Sequence, residues 1–200
     1  MTASGILTLM GGTVQTDPFL HVVIPDSIDD DLANCLLVWF ETEVAWQLSV
    51  IDEFYQLYDL DLRSVQLPER LRVFVEDSFL EDLRKRTEAL MSARLGSKID
   101  VTAHKMLTGC RIKIHTDYGP QRQTHRLLVH LNRGWKAEDG GLLMLLDQER
   151  PSPDSRNVKC YVPHHRRAIG FEISPQSFHA VSTVLAGERY ALTFSFYGDS

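Results

Sequence analysis

Cysteine is scarce and poorly placed for pairing. The 200-residue chain has three, Cys35, Cys110 and Cys160, an odd number with no CxxC pair. That excludes a disulfide scaffold and a zinc ribbon, and predicts a reducing compartment. The opening MTASGILTLMGG lacks a basic start, and its apolar run is too short for a secretory leader or a membrane span. The expectation is a soluble, cytoplasmic protein with no membrane partner. Positive charge is also short. With 21 Lys+Arg against 27 Asp+Glu, the net charge is −6 and the pI about 5.7. Such a chain has no general electrostatic grip on nucleic acid. Internal repeats and low-complexity segments are absent as well.

What is there suits a single domain over residues 1–200, long enough to bury a core without disulfide or metal staples. PFLHVVIPD reads as a strand stopped by Pro25. In DSIDDDLANCLLVWFETE, Ser27 or Asp26 can cap a helix. Its apolar stripe runs through Leu32, Cys35, Leu36, Trp39 and Phe40 and serves packing. Trp46 to Leu62 fits helix or strand. SFLEDLRKRTEALMSARLG predicts a helix opened by a Ser78/Glu81 capping box and closed on Gly96. From about residue 98 the texture changes. Eight short apolar or alternating runs follow, from IDVTAHKM to RYALTFSFY, separated by YGPQ, EDGG, SPDS, SPQ and AGE. That spacing predicts a double-sheet jelly roll or barrel, so the class is α+β.

Within that half, RIKIHTDYGP places His115 and Asp117 two residues apart at a strand end, where both side chains can face one way. His179, opening the strand SFHAVSTV, is the natural third ligand. Two imidazoles and a carboxylate on one face of a metal leave open positions, as in non-haem Fe(II) oxygenases. Arg189 lies ten residues beyond His179. If LAGE makes a hairpin turn, Arg189 falls opposite Val184, about five residues and roughly 16 Å deeper than His179. A guanidinium there suits the far carboxylate of a dicarboxylic co-substrate, because its planar fork matches a carboxylate in two places. Alternation along the last strand puts Arg189, Ala191, Thr193 and Ser195 on a pocket face. Tyr190, Leu192, Phe194 and Phe196 then meet apolar cover.

Together, His115-x-Asp117, His179 and Arg189 resemble the motif of the Fe(II)/2-oxoglutarate-dependent dioxygenases, in their prolyl 4-hydroxylase-like branch. LLVHLNRGWKAEDGGLLMLL and ERYALTFSFYG extend the resemblance over roughly residues 98–198. It implies a double-stranded β-helix core over 98–200, with residues 1–97 supplying support and helices packed on one sheet. It implies Fe(II) on His115, Asp117 and His179, and 2-oxoglutarate held by Arg189, with O2 as the second co-substrate. His130 stands where the prolyl hydroxylases have a tyrosine, so it is expected to hydrogen-bond the co-substrate, with Thr193 beside it. The implied reaction hydroxylates an unactivated C–H bond and releases succinate and CO2. A carboxylate at Asp117, where related halogenases have a small residue, favours hydroxylation over halogenation.

Tyr118, Gln121 and Arg122 follow Asp117 directly and are the expected substrate contacts. An amino-acid-like small molecule or a peptide residue is the first expectation for substrate, and a prolyl residue in a cellular protein the second. A cupin-like metal-binding protein is the rival class, but it has no need of an arginine ten residues past the second histidine. His21, His104 and His125 read as structural. The HHRR run, His164 to Arg167, reads as a solvated basic loop. None of these signals encodes the oligomeric state.

Overall fold

The structure, a computed structural model, describes residues 6–51, 55–120, 123–150 and 157–198. Its N-terminal part begins with β1 (Thr13–Gln15) and β2 (His21–Ile24), paired antiparallel, and then α1 (Asp30–Thr42). The cap of α1 is Asp29, whose carboxylate accepts from Leu32 N at 3.0 Å. Ser27 is engaged elsewhere, its hydroxyl donating to the Arg166 carbonyl at 2.7 Å. Most of the anticipated stripe is buried, with Leu32, Leu36, Trp39 and Phe40 all facing the core and Cys35 half-buried.

The ambiguous stretch forms strands, β3 (Gln47–Ile51) and β4 (Tyr55–Asp61), because β4 finds a long partner further along the chain. Next, α2 (Asp77–Met91) begins before Ser78, and the expected capping box does not form. Glu81 is instead bound by Arg84 at 2.8 Å and Lys85 at 3.2 Å. The helix ends at Ser92 in a left-handed conformation (φ 53°), and Gly96 lies beyond it, its N–H donating to the Tyr197 carbonyl.

All eight C-terminal runs are strands: β5 (Ile99–Leu107), β6 (Ile112–His115), β7 (Gln123–His130), β8 (Leu143–Leu146), β9 (Val158–Tyr161), β10 (Ala168–Glu172), β11 (Phe178–Val181) and β12 (Glu188–Tyr197). With β1, β2 and β4 they form two runs, β1-β2-β10-β7-β12-β5-β4 and β6-β11-β8-β9, joined by one β4–β6 pair, and β3 lies on β4. The chain therefore passes repeatedly from one run to the other. Leu57, Met106, Leu128, Leu145, Ile169, Phe171 and Val181 fill the space between them. A second apolar layer lies under the helices, where Phe40 stacks on Tyr190 and Phe79 meets Phe194. A mostly β fold of two sheets with helices on one of them fits a jelly-roll oxygenase.

The expected β11–β12 hairpin is not formed. β11 pairs with β6 and β8, whereas β12 pairs with β5 and β7, so Arg189 stands opposite Met106 and not Val184. The reason lies in β12 itself. Its Tyr190, Leu192, Phe194 and Phe196 face is buried against the helical layer, so the strand must lie in the sheet that the helices cover.

Candidate metal and co-substrate site

His115 ends β6 and His179 lies opposite it on β11, with their ring centroids 4.2 Å apart. Each Nδ1–H donates to a carbonyl two residues back, His115 to Lys113 O and His179 to Ser177 O, both at 2.8 Å. A carbonyl only accepts, so a ring in its neutral form turns the lone pair of Nε2 toward the other side. Asp117 completes the group. Its Oδ2 lies 3.0 Å from His179 Nε2, and its Oδ1 lies 3.4 Å from His115 Nε2. The three donor atoms lie within 4.8 Å of one another.

Strand alternation does not aim this carboxylate, because β6 stops at His115. Asp117 has φ +56°, a left-handed turn that aspartate tolerates better than most residues. Burial alone raises its carboxyl. The His115 and His179 contacts and the Arg126 guanidinium outweigh that and hold it well below the usual carboxylate range. Burial lowers His179 below its ordinary value and so favours the neutral ring. Two imidazole lone pairs and an ionised carboxylate converging on one point make a ready seat for a divalent cation.

Beside this group lies a set of buried polar atoms with no protein partner. Arg189 is 2% exposed; its Nε donates to Gly141 O at 2.8 Å and Nη1 reaches Met106 Sδ at 3.7 Å, while Nη2 has no partner. Both ring nitrogens of His130 and the Thr193 hydroxyl are likewise unpaired. All three lie on one face, since Arg189 and Thr193 flank Ala191 on β12 and His130 pairs with Ala191 from β7. Burial, then the Arg189 charge, holds His130 well below its ordinary value, and burial lowers Arg189 to about 10. Orphaned donors at this depth call for a bound acceptor. A dicarboxylate offers one to the guanidinium, the hydroxyl and an imidazole N–H, so the residues present fit a keto-diacid beside the metal. Gly141 makes the arrangement possible, because a Cβ there would come within 2.8 Å of Arg189 Cδ.

Of the expected substrate contacts, Tyr118 is 61% exposed at the rim, and Gln121 and Arg122 lie outside the described residues. Several site residues had escaped the sequence reading. Arg126 contacts Asp117 Oδ2 and also donates to Gln123 Oε1 at 2.8 Å. His104, expected to be structural, instead lines a pocket of about 180 Å³ with Leu57, Asp59, Ile112, His115, Asp117 and Arg126. His21 is structural as expected, bonded to Phe19 O and Tyr161 OH at 2.7 Å each. The HHRR segment is less solvated than expected. Arg166 braces it against the N-terminal part by donating to Ile28 O at 2.8 Å. Among the described residues, His115, Asp117 and His179 form the one metal-type cluster, and no helix is long and apolar enough to cross a membrane.

Residues 101–197 match the profile of the 2OG-Fe(II) oxygenase superfamily. This segment belongs to that superfamily. Its members work with Fe(II), 2-oxoglutarate and O2, and the His/Asp/His cluster is of the type they need. The likeness runs to prolyl hydroxylases. The chain is 30% identical to mouse (Mus musculus) prolyl 3-hydroxylase OGFOD1 over 191 residues, covering 94% of this chain and 34% of the relative. It is 27% identical to Drosophila melanogaster prolyl 3-hydroxylase sudestada1 over 209 residues, 96% of this chain and 37% of the relative. The chain thus spans about a third of the length of these curated relatives. A Pseudomonas putida prolyl-4-hydroxylase structure shares the fold at TM-score 0.69 and 18% identity, covering 90% of this chain and 92% of that one.

Proposed function

We propose that the chain is the catalytic unit of an Fe(II)- and 2-oxoglutarate-dependent hydroxylase acting on a prolyl residue of a peptide or protein. The unpaired Arg189, His130 and Thr193 atoms beside the His115, Asp117 and His179 cluster carry this reading. On this reading the eight strands of residues 99–197 are a double-stranded β-helix. Residues 1–97 support it within one domain, and three free cysteines are in keeping with a cytoplasmic setting. The names of the relatives favour a prolyl residue over the small amino-acid-like metabolite that the sequence alone put first.

His115, Asp117 and His179 are assigned as metal ligands, and Arg189, His130 and Thr193 as the grip on 2-oxoglutarate. When bound, iron and co-substrate supply the oxidising power: O2 and 2-oxoglutarate become succinate and CO2, and one oxygen atom enters the substrate as hydroxyl. The protein's share is positioning. The Lys113 and Ser177 carbonyls hold the two imidazoles by their Nδ1–H groups. Arg126 fixes the carboxylate, and the apolar core between the sheets keeps water from the buried Arg189.

The test is succinate release from the purified protein with Fe(II), scored against prolyl peptides, intact proteins and free amino acids, with product mass recorded. A gain of one oxygen on a prolyl residue is expected. Turnover with free amino acids alone would overturn the substrate assignment. Anaerobic Fe(II) with 2-oxoglutarate should also give a weak visible charge-transfer band, and His179→Ala should lose both band and activity. A His179→Ala protein retaining both would remove that residue from the ligand set.

A further inference from the structure

Cross-strand register places a row of inward-facing residues on the larger sheet: His130 on β7, Ala191 on β12, His104 on β5 and Asp59 on β4. Neighbouring strands are about 4.8 Å apart, so the two histidines stand roughly 10 Å from each other with only a methyl group between them. His130 belongs to the proposed co-substrate grip. His104 has no such assignment, although it lines the same pocket as His115 and Asp117 of the metal-type cluster.

Among the described residues no hydrogen bond is formed by His104, whose half-buried ring stands on the pocket wall. Burial, and after it the charges of Arg126 and Arg189, lower it to about 4, so the imidazole is neutral and offers one donor and one acceptor. Arg126 commits Nη1 to Asp117 and Nη2 to Gln123, which leaves its Nε and the His104 ring N–H as open donors of the wall. Leu57 and Ile112 supply the apolar part of the lining. A prolyl residue matches this combination. Its ring is apolar, its nitrogen carries no hydrogen within a chain, and its carbonyl is an acceptor.

We propose that His104 is a specificity-determining residue whose ring N–H receives the backbone carbonyl of the target residue, while Leu57 and Ile112 hold the ring. That contact sets which ring carbon faces the metal, and hence the position hydroxylated. The proposal rests on the prolyl reading above, and the two fail at different points.

The experiment uses a peptide that the wild-type protein hydroxylates, with His104→Ala, His104→Phe and His104→Gln variants. Four quantities are read: the Fe(II)/2-oxoglutarate band titration, peptide KM, hydroxylation per succinate released, and the 3- to 4-hydroxyproline ratio by NMR. In His104→Ala the co-substrate titration should stay within about twofold while peptide KM rises about tenfold, the effect of one lost hydrogen bond. Coupling should fall and the product ratio shift. His104→Phe should behave like alanine, and His104→Gln, which keeps a donor, should recover much of the loss. Unchanged peptide KM, coupling and product ratio in His104→Ala would overturn the proposal. Equal loss of 2-oxoglutarate binding in all three variants would also overturn it, making the residue part of the co-substrate site or of the core. A wild type with an intact band that hydroxylates no prolyl substrate overturns both this proposal and the prolyl reading, and leaves the metal assignment standing.

Discussion

Replacing Gly141 by alanine tests the co-substrate grip without touching a polar group. Gly141 has φ +63°, where a side chain costs about 1–2 kcal/mol. The new Cβ would also stand 2.8 Å from Arg189 Cδ, 3.3 Å from Val184 Cγ2 and 3.4 Å from Trp135 Cζ2. Val184 and Trp135 are core residues with little freedom to retreat, so Arg189 or the Gly141 backbone must shift. Either movement disturbs the guanidinium, because Arg189 Nε is tied to the Gly141 carbonyl at 2.8 Å. A hydrogen bond to a charged group contributes about 1.5–3 kcal/mol, so the half-saturating 2-oxoglutarate concentration should rise about 10- to 100-fold. The assay is anaerobic titration of the Fe(II) charge-transfer band with 2-oxoglutarate, beside a thermal melt. Gly187→Ala is the control. It has φ +77° and only Trp135 atoms within reach, so it should lose stability without losing co-substrate affinity. If Gly141→Ala lowers Tm yet leaves the titration unchanged, the link from this glycine through Arg189 to 2-oxoglutarate is wrong.

Arg189→Met should weaken 2-oxoglutarate binding by roughly 2–5 kcal/mol, since the far carboxylate is left buried and unpaired. Fe(II) binding should survive, and an unchanged saturation curve would contradict the assignment. His130→Ala should act in the same direction but more weakly. His125 is buried on β7 and lowered by burial to about 4 against an ordinary 6.5. The unfolded chain therefore binds an extra proton between those values, and stability present above pH 6.5 is lost as pH falls toward 4. His125→Leu should flatten that decline by up to about 3 kcal/mol in denaturant melts across pH 4–7; parallel wild-type and variant curves would refute it.

What the sequence determined by itself was local. His115 and Asp117 are two residues apart, so any conformation of that short turn keeps them near each other. The alternation that gives β12 one apolar and one pocket face is a property of a single strand, and it correctly put Arg189 and Thr193 inside. Eight short runs with turn signals between them are also legible one at a time. The pairing of strands was not legible, because it is decided by which faces must be buried against which. Thus β12 joined β5 and β7 under the helices and left β11 to β6 and β8, and β4 became a strand only beside β5. Helix ends followed the same rule. Asp29 capped α1 because Ser27 was bonded to the Arg166 carbonyl, 139 residues away in the chain. The walls of the pocket depended most on tertiary structure. Arg126, His104 and Gly141 carry no motif of their own, and only sheet register and close approach bring each of them to Asp117, the open pocket or Arg189.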